Sequence, residues 1–279
     1  MQITIINPYL FYTFVFLFGL LFGSFLNVCI YRLPRQESIA FPPSHCTNCN
    51  SFIKYYQNIP VISYIFLGGK CNSCKEPISV IYPLVELFTA VLVTLLFYKY
   101  GVTIKTFVYV ILALSLIVIS FIDLEHFIIP NVITFPGILI GLLYNLLITD
   151  WGLLINILPK IDPGNIFFIV PKIPALNSIF GIIIGGGTLL LIAYLYKLIR
   201  KREGMGMGDV KLLAMLGAFL GINGVFFIIL VSSLVGSVIG ITIILLQKGN
   251  MKLALPYGPF ISLAALIFLF TGPVVIPAL

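Results

Sequence analysis

Four aspartates occur in the 279 residues, and Asp123 and Asp209 each stand at the end of an apolar run. Asp123 follows Ile119-Ser120-Phe121-Ile122, and Asp209 opens a long uncharged stretch directly after Gly206-Met207-Gly208. Acids at a membrane edge are costly unless they are solvated, paired or used. Two carboxylates can hydrolyse an amide without a covalent intermediate: the ionised one deprotonates water, while the protonated one polarises the carbonyl and feeds the leaving amine. A helix N-terminus favours negative charge and a C-terminus disfavours it, so Asp209 is expected to act mainly as base and Asp123 mainly as acid, with Lys211 pushing the same way. The pair would share its proton. Gly204, Gly206 and Gly208 alternate before Asp209, leaving bare backbone where an extended substrate could approach. The competing reading is a flexible loop with a capping aspartate. Glu125 reads as solvated, and His126 reads as a local hydrogen-bond partner more readily than as a metal ligand.

Four of the five cysteines form two C-x-x-C pairs, Cys46/Cys49 and Cys71/Cys74, with 21 residues between them. Each pair supplies two thiolates from one tight turn, and four thiolates suit a structural zinc ion, leaving no open position for a substrate. The surrounding segment is too poor in apolar residues to build its own core, so a metal staple makes physical sense. Disulfides are the rival; a cytoplasmic setting argues against them. Iron also accepts four thiolates. Cys29, inside an apolar run, reads as a small buried hydrophobe.

The elements carrying these groups are membrane helices. The chain is 60% hydrophobic and 9% charged, with a mean hydropathy of +1.15, where soluble domains run to about 25% charged. Spans are expected at Tyr9–Ile30, Tyr82–Tyr98, Thr106–Ile122, Asn131–Thr149, Ala175–Tyr196 and Tyr257–Phe270. The uncharged stretch after Asp209 is too long for one span, and Gly221-Ile222-Asn223-Gly224 divides it into about Asp209–Leu220 and Val225–Leu246. The expected fold is therefore an all-α polytopic membrane protein of about eight transmembrane helices with a small cytoplasmic zinc-binding segment built on the four cysteines. Residues 1–81 form the first helix plus the zinc-binding segment, and 82–279 the membrane domain. Residues 150–174, rich in proline, are expected along the outer surface.

The net charge of +7 reflects basic loops and not a nucleic-acid surface. With the N-terminus outside, twelve Lys and Arg fall on the inner side and four on the outer, so this orientation is the expected one. Asp123, Asp209 and the four clustered cysteines then all face the cytoplasm. No Lys or Arg precedes Arg32, so the first helix lacks the basic start of a secretory signal and reads as retained.

Taken together, these residues resemble the bacterial type IV prepilin peptidase family (prepilin leader peptidase/N-methyltransferase). The resemblance runs over nearly the whole chain: Gly23-Ser24-Phe25-Leu26-Asn27 through Leu33-Pro34, Pro42-Pro43-Ser44-His45-Cys46, Asn58-Ile59-Pro60, Tyr82-Pro83-Leu84-Val85-Glu86, Ile122-Asp123-Leu124-Glu125-His126 with Ile129-Pro130, Gly206 to Lys211, and Pro256-Tyr257-Gly258-Pro259, where Tyr257 replaces a frequent Phe. The resemblance implies a GxGD-type aspartyl protease of the bacterial inner membrane with Asp123 and Asp209 catalytic. Gly206, Gly208 and Lys211 belong to its active-site loop. It further implies cleavage of the short basic leader of prepilins and pseudopilins, after a glycine, at the cytoplasmic face. The new N-terminal amine is then methylated with S-adenosylmethionine. The zinc cysteines carry over to Cys46, Cys49, Cys71 and Cys74. The methyl-donor site is not readable, there being no Rossmann fingerprint; Glu86 is a candidate for assisting the amine, and could equally pair with Lys75 or Lys99. Prepilins and the bilayer are the implied partners. Nothing distinguishes service to a type IV pilus, to type II secretion or to DNA uptake. Three other readings stand beside this one: a peptidase with an inactive methylating half, a transporter using the aspartates as an ion path, and a zinc-stapled scaffold.

Overall fold

The computed structural model describes residues 7–149, 173–201, 206–246 and 255–275. Along the chain run α1 (Pro8–Arg32), a 3-10 turn (Tyr55–Gln57), α2 (Ile62–Phe66), α3 (Ile81–Tyr100), α4 (Ile104–His126), α5 (Asn131–Leu147), α6 (Pro174–Arg200), α7 (Met207–Leu246) and α8 (Gly258–Val275). The described residues contain no β-strand, only two isolated bridges. The eight expected apolar segments each fall on a helix, two of them being the halves of α7. Helices α1, α3, α4, α6 and α7 are long and apolar enough to cross a bilayer; α5 and α8 are shorter. Gly204, the proline-rich 150–172 and the basic residues Lys160, Lys172, Arg202, Lys248 and Lys252 lie outside the described residues.

The chain divides into two compact units, Met1–Ile122 and Asp123–Leu279, the boundary falling inside α4. In the first, α1 packs along α3. Lipid tails are as apolar as leucine, so helices in a bilayer associate where small side chains let backbones approach. Gly19 and Gly23, four residues apart on α1, supply such a seam: a Cβ on either would come within 2.6 Å and 2.5 Å of the Cα atoms of Ala90 and Glu86. Placing α3 in the first unit differs from a division at residue 81.

The second unit is centred on α7, against which α5, α6 and α8 pack. The same spacing recurs: Gly137 and Gly141 of α5 lie against Met215 and Phe219, and Gly181 and Gly185 of α6 against Gly217 and Leu213. Helix α7 breaks at Gly221, whose φ of 69° and ψ of −167° are not helical. A break strands the Ala218 carbonyl and the Ile222 N–H, which would otherwise bond each other, and a bilayer offers no water to replace that bond. Asn145 and Ser178 donate to the Ala218 carbonyl (2.9 and 2.8 Å), and the Asn177 Oδ1 accepts from Ile222 N–H at 2.8 Å. Three polar side chains from two neighbouring helices thus satisfy the interruption. The expected division of this stretch at Gly221 is present as this kink.

Candidate functional site

Asp123 lies in the last turn of α4 and is buried, with 5% of its surface exposed. The helix ends at His126; Phe127 then takes a left-handed conformation (φ 55°) and its N–H closes on the Asp123 carbonyl at 3.0 Å. Such a φ is rare for a bulky residue. Ile128 and Ile129 then lead into Pro130, which bars further helix and opens α5.

The Asp123 Oδ2 accepts the N–H of Gly258, the first residue of α8, at 2.9 Å. A Cβ at position 258 would stand 2.7 Å from that oxygen. Asp209 lies in the first turn of α7, its N–H bonded to the Gly206 carbonyl at 3.3 Å, and it feels the charge of Asp123. The structure therefore brings the two aspartates together in one unit. It also removes the asymmetry drawn from each aspartate's own helix. Asp123 ends α4 but caps the N-terminus of α8, so both carboxylates sit at helix N-termini.

The two glycines before Asp209 do different jobs. A Cβ on Gly208 would come within 2.9 Å of Ile129 Cβ, so Gly208 lets α7 start against the segment after α4. Gly206 is open, its nearest neighbour being Asp209 Oδ2 at 3.8 Å from a virtual Cβ, which leaves room beside the carboxylate. Lys211 turns away from Asp209. Its Nζ donates to Asn131 Oδ1 at 2.9 Å and lies 5.5 Å from the Phe135 ring centroid, tying α7 to α5. Glu125 is exposed as expected. The His126 Nε2 is 3.9 Å from Glu125 Oε2, too far for a hydrogen bond, and is buried without a partner among the described residues.

Gly258 is the functional group that sequence reasoning missed. Its motif stood out, but the donor is a backbone amide 135 residues from its acceptor. The Gly258-Pro259 start of a helix was the available signal. Tyr257 anchors this start, its hydroxyl pairing with Ser232 (2.8 Å) and Ser233 (3.1 Å) of α7.

In the first unit the four cysteine sulfurs all lie within 4.8 Å of one another. Cys46 Sγ and Cys74 Sγ are 3.9 Å apart, close to the S···S edge of about 3.8 Å in a tetrahedron with zinc at about 2.3 Å, and far beyond a disulfide bond. The two knuckles are built alike. Lys75 N–H bonds the Cys71 carbonyl as Asn50 N–H bonds that of Cys46, and both residues after the second cysteine are left-handed. The N–H groups of Cys74 and Ser73 point at the Cys71 sulfur and lower its pKa to about 6. At Cys74 the N–H of Glu76 pulls the same way, but burial and the surrounding thiols outweigh it and raise the pKa to about 12. Crowded thiols of this kind suit a cation that lets all four ionise together. Glu86 of α3 is also buried; its Oε2 accepts Val61 N–H at 2.8 Å and the Ser24 hydroxyl also bonds it. Neither partner is a lysine.

The chain is thus a polytopic helical membrane protein with two neighbouring aspartates in one unit and a four-cysteine cluster in the other. Residues 17–100 match the bacterial peptidase A24 N-terminal domain, and residues 110–241 match the type IV leader peptidase family. The chain is 33% identical over 288 residues to a prepilin leader peptidase/N-methyltransferase of Pseudomonas putida, covering 95% of this chain and 92% of that one. The protein of that name from Pseudomonas aeruginosa is 34% identical, again over 95% and 92% of the two chains. The one from Neisseria gonorrhoeae is 36% identical, over 91% and 88%. No solved structure matches. The chain belongs to the type IV leader peptidase family and is an integral membrane enzyme.

Proposed function

We propose that the chain cleaves the basic leader of type IV prepilins or pseudopilins with Asp123 and Asp209 and then N-methylates the exposed residue. The observation carrying this reading is the pairing of the two acids in one unit, with a backbone donor fixing one of them. One ionised carboxylate takes a proton from water, which attacks the scissile carbonyl. The other, protonated, gives its proton toward the carbonyl oxygen and the departing amine. The two share one proton, and which carries it first is a property of the pair. Gly206 leaves the approach to Asp209 bare, and Gly208 and Lys211 hold the loop in register. The inner side of the cell membrane is the proposed setting, since a prepilin presents its basic leader on the cytoplasmic face. Cys46, Cys49, Cys71 and Cys74 would hold one structural zinc ion that supplies folding energy to the first unit and no chemistry. S-adenosylmethionine is the methyl donor.

The test is cleavage of a model prepilin by the purified chain in detergent, beside Asp123→Ala and Asp209→Ala, with S-adenosylmethionine present. Loss of cleavage in both variants and a wild-type product heavier by about 14 Da, one methyl group, are expected. Cleavage surviving both substitutions overturns the catalytic pair. Cleavage without the added mass leaves a peptidase whose methylating half is inactive.

A further inference from the structure

The first unit contains a cavity of about 620 Å³ bounded by α1, α3 and the cysteine knuckles. That volume falls within the range of small-molecule sites. Arg35 and Glu76 line the cavity but are exposed; two opposite charges in its wall are buried. Arg32 is 5% exposed and Glu86 is 8% exposed. They do not bond each other. Arg32 donates to three backbone carbonyls, those of Ser38 (2.8 Å), Pro42 (2.7 Å) and Pro43 (3.5 Å), and to no carboxylate among the described residues. Carbonyl dipoles fix a guanidinium but leave its charge uncompensated, and its fork has further N–H groups to offer. Glu86 is likewise fixed by neutral donors, Val61 N–H and Ser24. Tyr64 and Tyr82 add aromatic faces to the same wall, whereas the Tyr31 ring carries the Arg35 guanidinium at 3.9 Å. A buried cation and aromatic faces around one cavity describe a receptor for a ligand bearing a carboxylate and a flat ring, and the separate buried carboxylate is free to meet a cationic group brought by a second molecule.

We propose that this cavity is the S-adenosylmethionine site, with Arg32 taking the carboxylate of the donor and Glu86 facing the pilin N-terminal amine. The assignment rests on the reading that the chain methylates. A guanidinium–carboxylate hydrogen bond is charge-assisted. Tyr64 and Tyr82 receive the adenine ring and the sulfonium, which aromatic faces attract. The incoming ammonium gives one proton to the Glu86 carboxylate. The amine lone pair then forms the N–C bond as the C–S bond breaks, its electron pair passing to sulfur. The sulfonium charge is thereby transferred to the methylated ammonium, and Glu86 returns its proton to water. The cysteine knuckles supply wall and not chemistry, Cys46 and Cys71 both bordering the cavity.

Binding and catalysis are tested separately on the full chain in detergent. Calorimetry with S-adenosylhomocysteine reads the site without turnover. Arg32→Lys weakens that binding by about tenfold or more. Glu86→Gln leaves binding close to wild type and lowers methyl transfer by about a hundredfold, the loss of a positioned base. Because Arg32 also holds a loop, Val28→Trp serves as the second variant. It fills the cavity from α1 and deletes no hydrogen bond, so it abolishes binding while prepilin cleavage proceeds. Photolysis with 8-azido-S-adenosylmethionine labels a peptide within residues 24–86. Label on residues 123–279, or unchanged binding in both Arg32→Lys and Val28→Trp, overturns the site. A wild-type chain that cleaves but neither binds S-adenosylhomocysteine nor adds a methyl overturns the methylating reading itself.

Discussion

At the scale of single residues, the candidate peptidase site depends on contacts that leave no slack. Gly258→Ala forces a Cβ to 2.7 Å from Asp123 Oδ2, and a displacement of order one ångström at a catalytic group costs about a hundredfold in rate. The expected result is a kcat for prepilin cleavage lowered by about that factor, with helicity by circular dichroism unchanged. Lys211→Met behaves differently. Its partner is the exposed Asn131 amide and not Asp209, so stability falls by no more than about 1 kcal/mol and cleavage persists at a reduced rate, as a denaturant titration beside the assay will read. That Asp123 and Asp209 come together was legible in the sequence from acids at the ends of apolar runs, although Asp150 closes such a run as well. Their division of labour was not. The dipole argument counted the helix each aspartate belongs to, whereas the helix that Asp123 caps begins at residue 258, and no local pattern carries that distance. Lys211 misled for a similar reason: two residues from Asp209 in sequence, its long side chain has another helix within reach.

At the scale of elements, the seams of both units are set by glycines spaced four apart. This signal is present in the sequence at 19/23, 137/141 and 181/185, but such a spacing does not say which helix packs against it. Helix existence needed only apolar length; helix partnership needs small residues at that spacing. Gly23→Leu would therefore separate α1 from α3 at Glu86, and the expected outcome is loss of methyl transfer with cleavage retained, read by product mass. The break in α7 gives a second expectation. Asn177→Ala leaves the Ile222 N–H buried without its acceptor, which costs about 1–3 kcal/mol. Thermal unfolding in detergent should register a lower midpoint, and Asn177→Asp, which keeps an acceptor oxygen, should recover more of it than alanine does.

At the scale of the whole molecule, the two proposed activities fall in different units. The aspartates and their glycines belong to residues 123–279, and the cysteines, Arg32 and Glu86 to residues 1–122. One zinc per chain is expected by elemental analysis, and Cys46→Ser should lower it together with methyl transfer, since Cys46 borders the cavity, while leaving the aspartate pair intact. If metal loss abolished cleavage first, the independence of the units would fail. The composition announced a membrane protein because 9% charge cannot cover a soluble surface. The boundary between units was harder to read, because it falls inside a continuous apolar helix, where neither composition nor punctuation changes.

The bond from Gly258 to Asp123 also has a meaning for how such a site drifts under mutation. A main-chain amide is supplied by every amino acid except proline. No exchange of side chains at position 258 deletes the donor; it can only crowd it. Tolerance there should follow volume alone, with alanine milder than serine, serine milder than valine, and proline set apart as the one replacement that removes the bond itself. The anchoring of this aspartate is thus written in the path of the chain, and a library of variants at 258 would rank by size where a library at an ordinary polar contact ranks by chemistry.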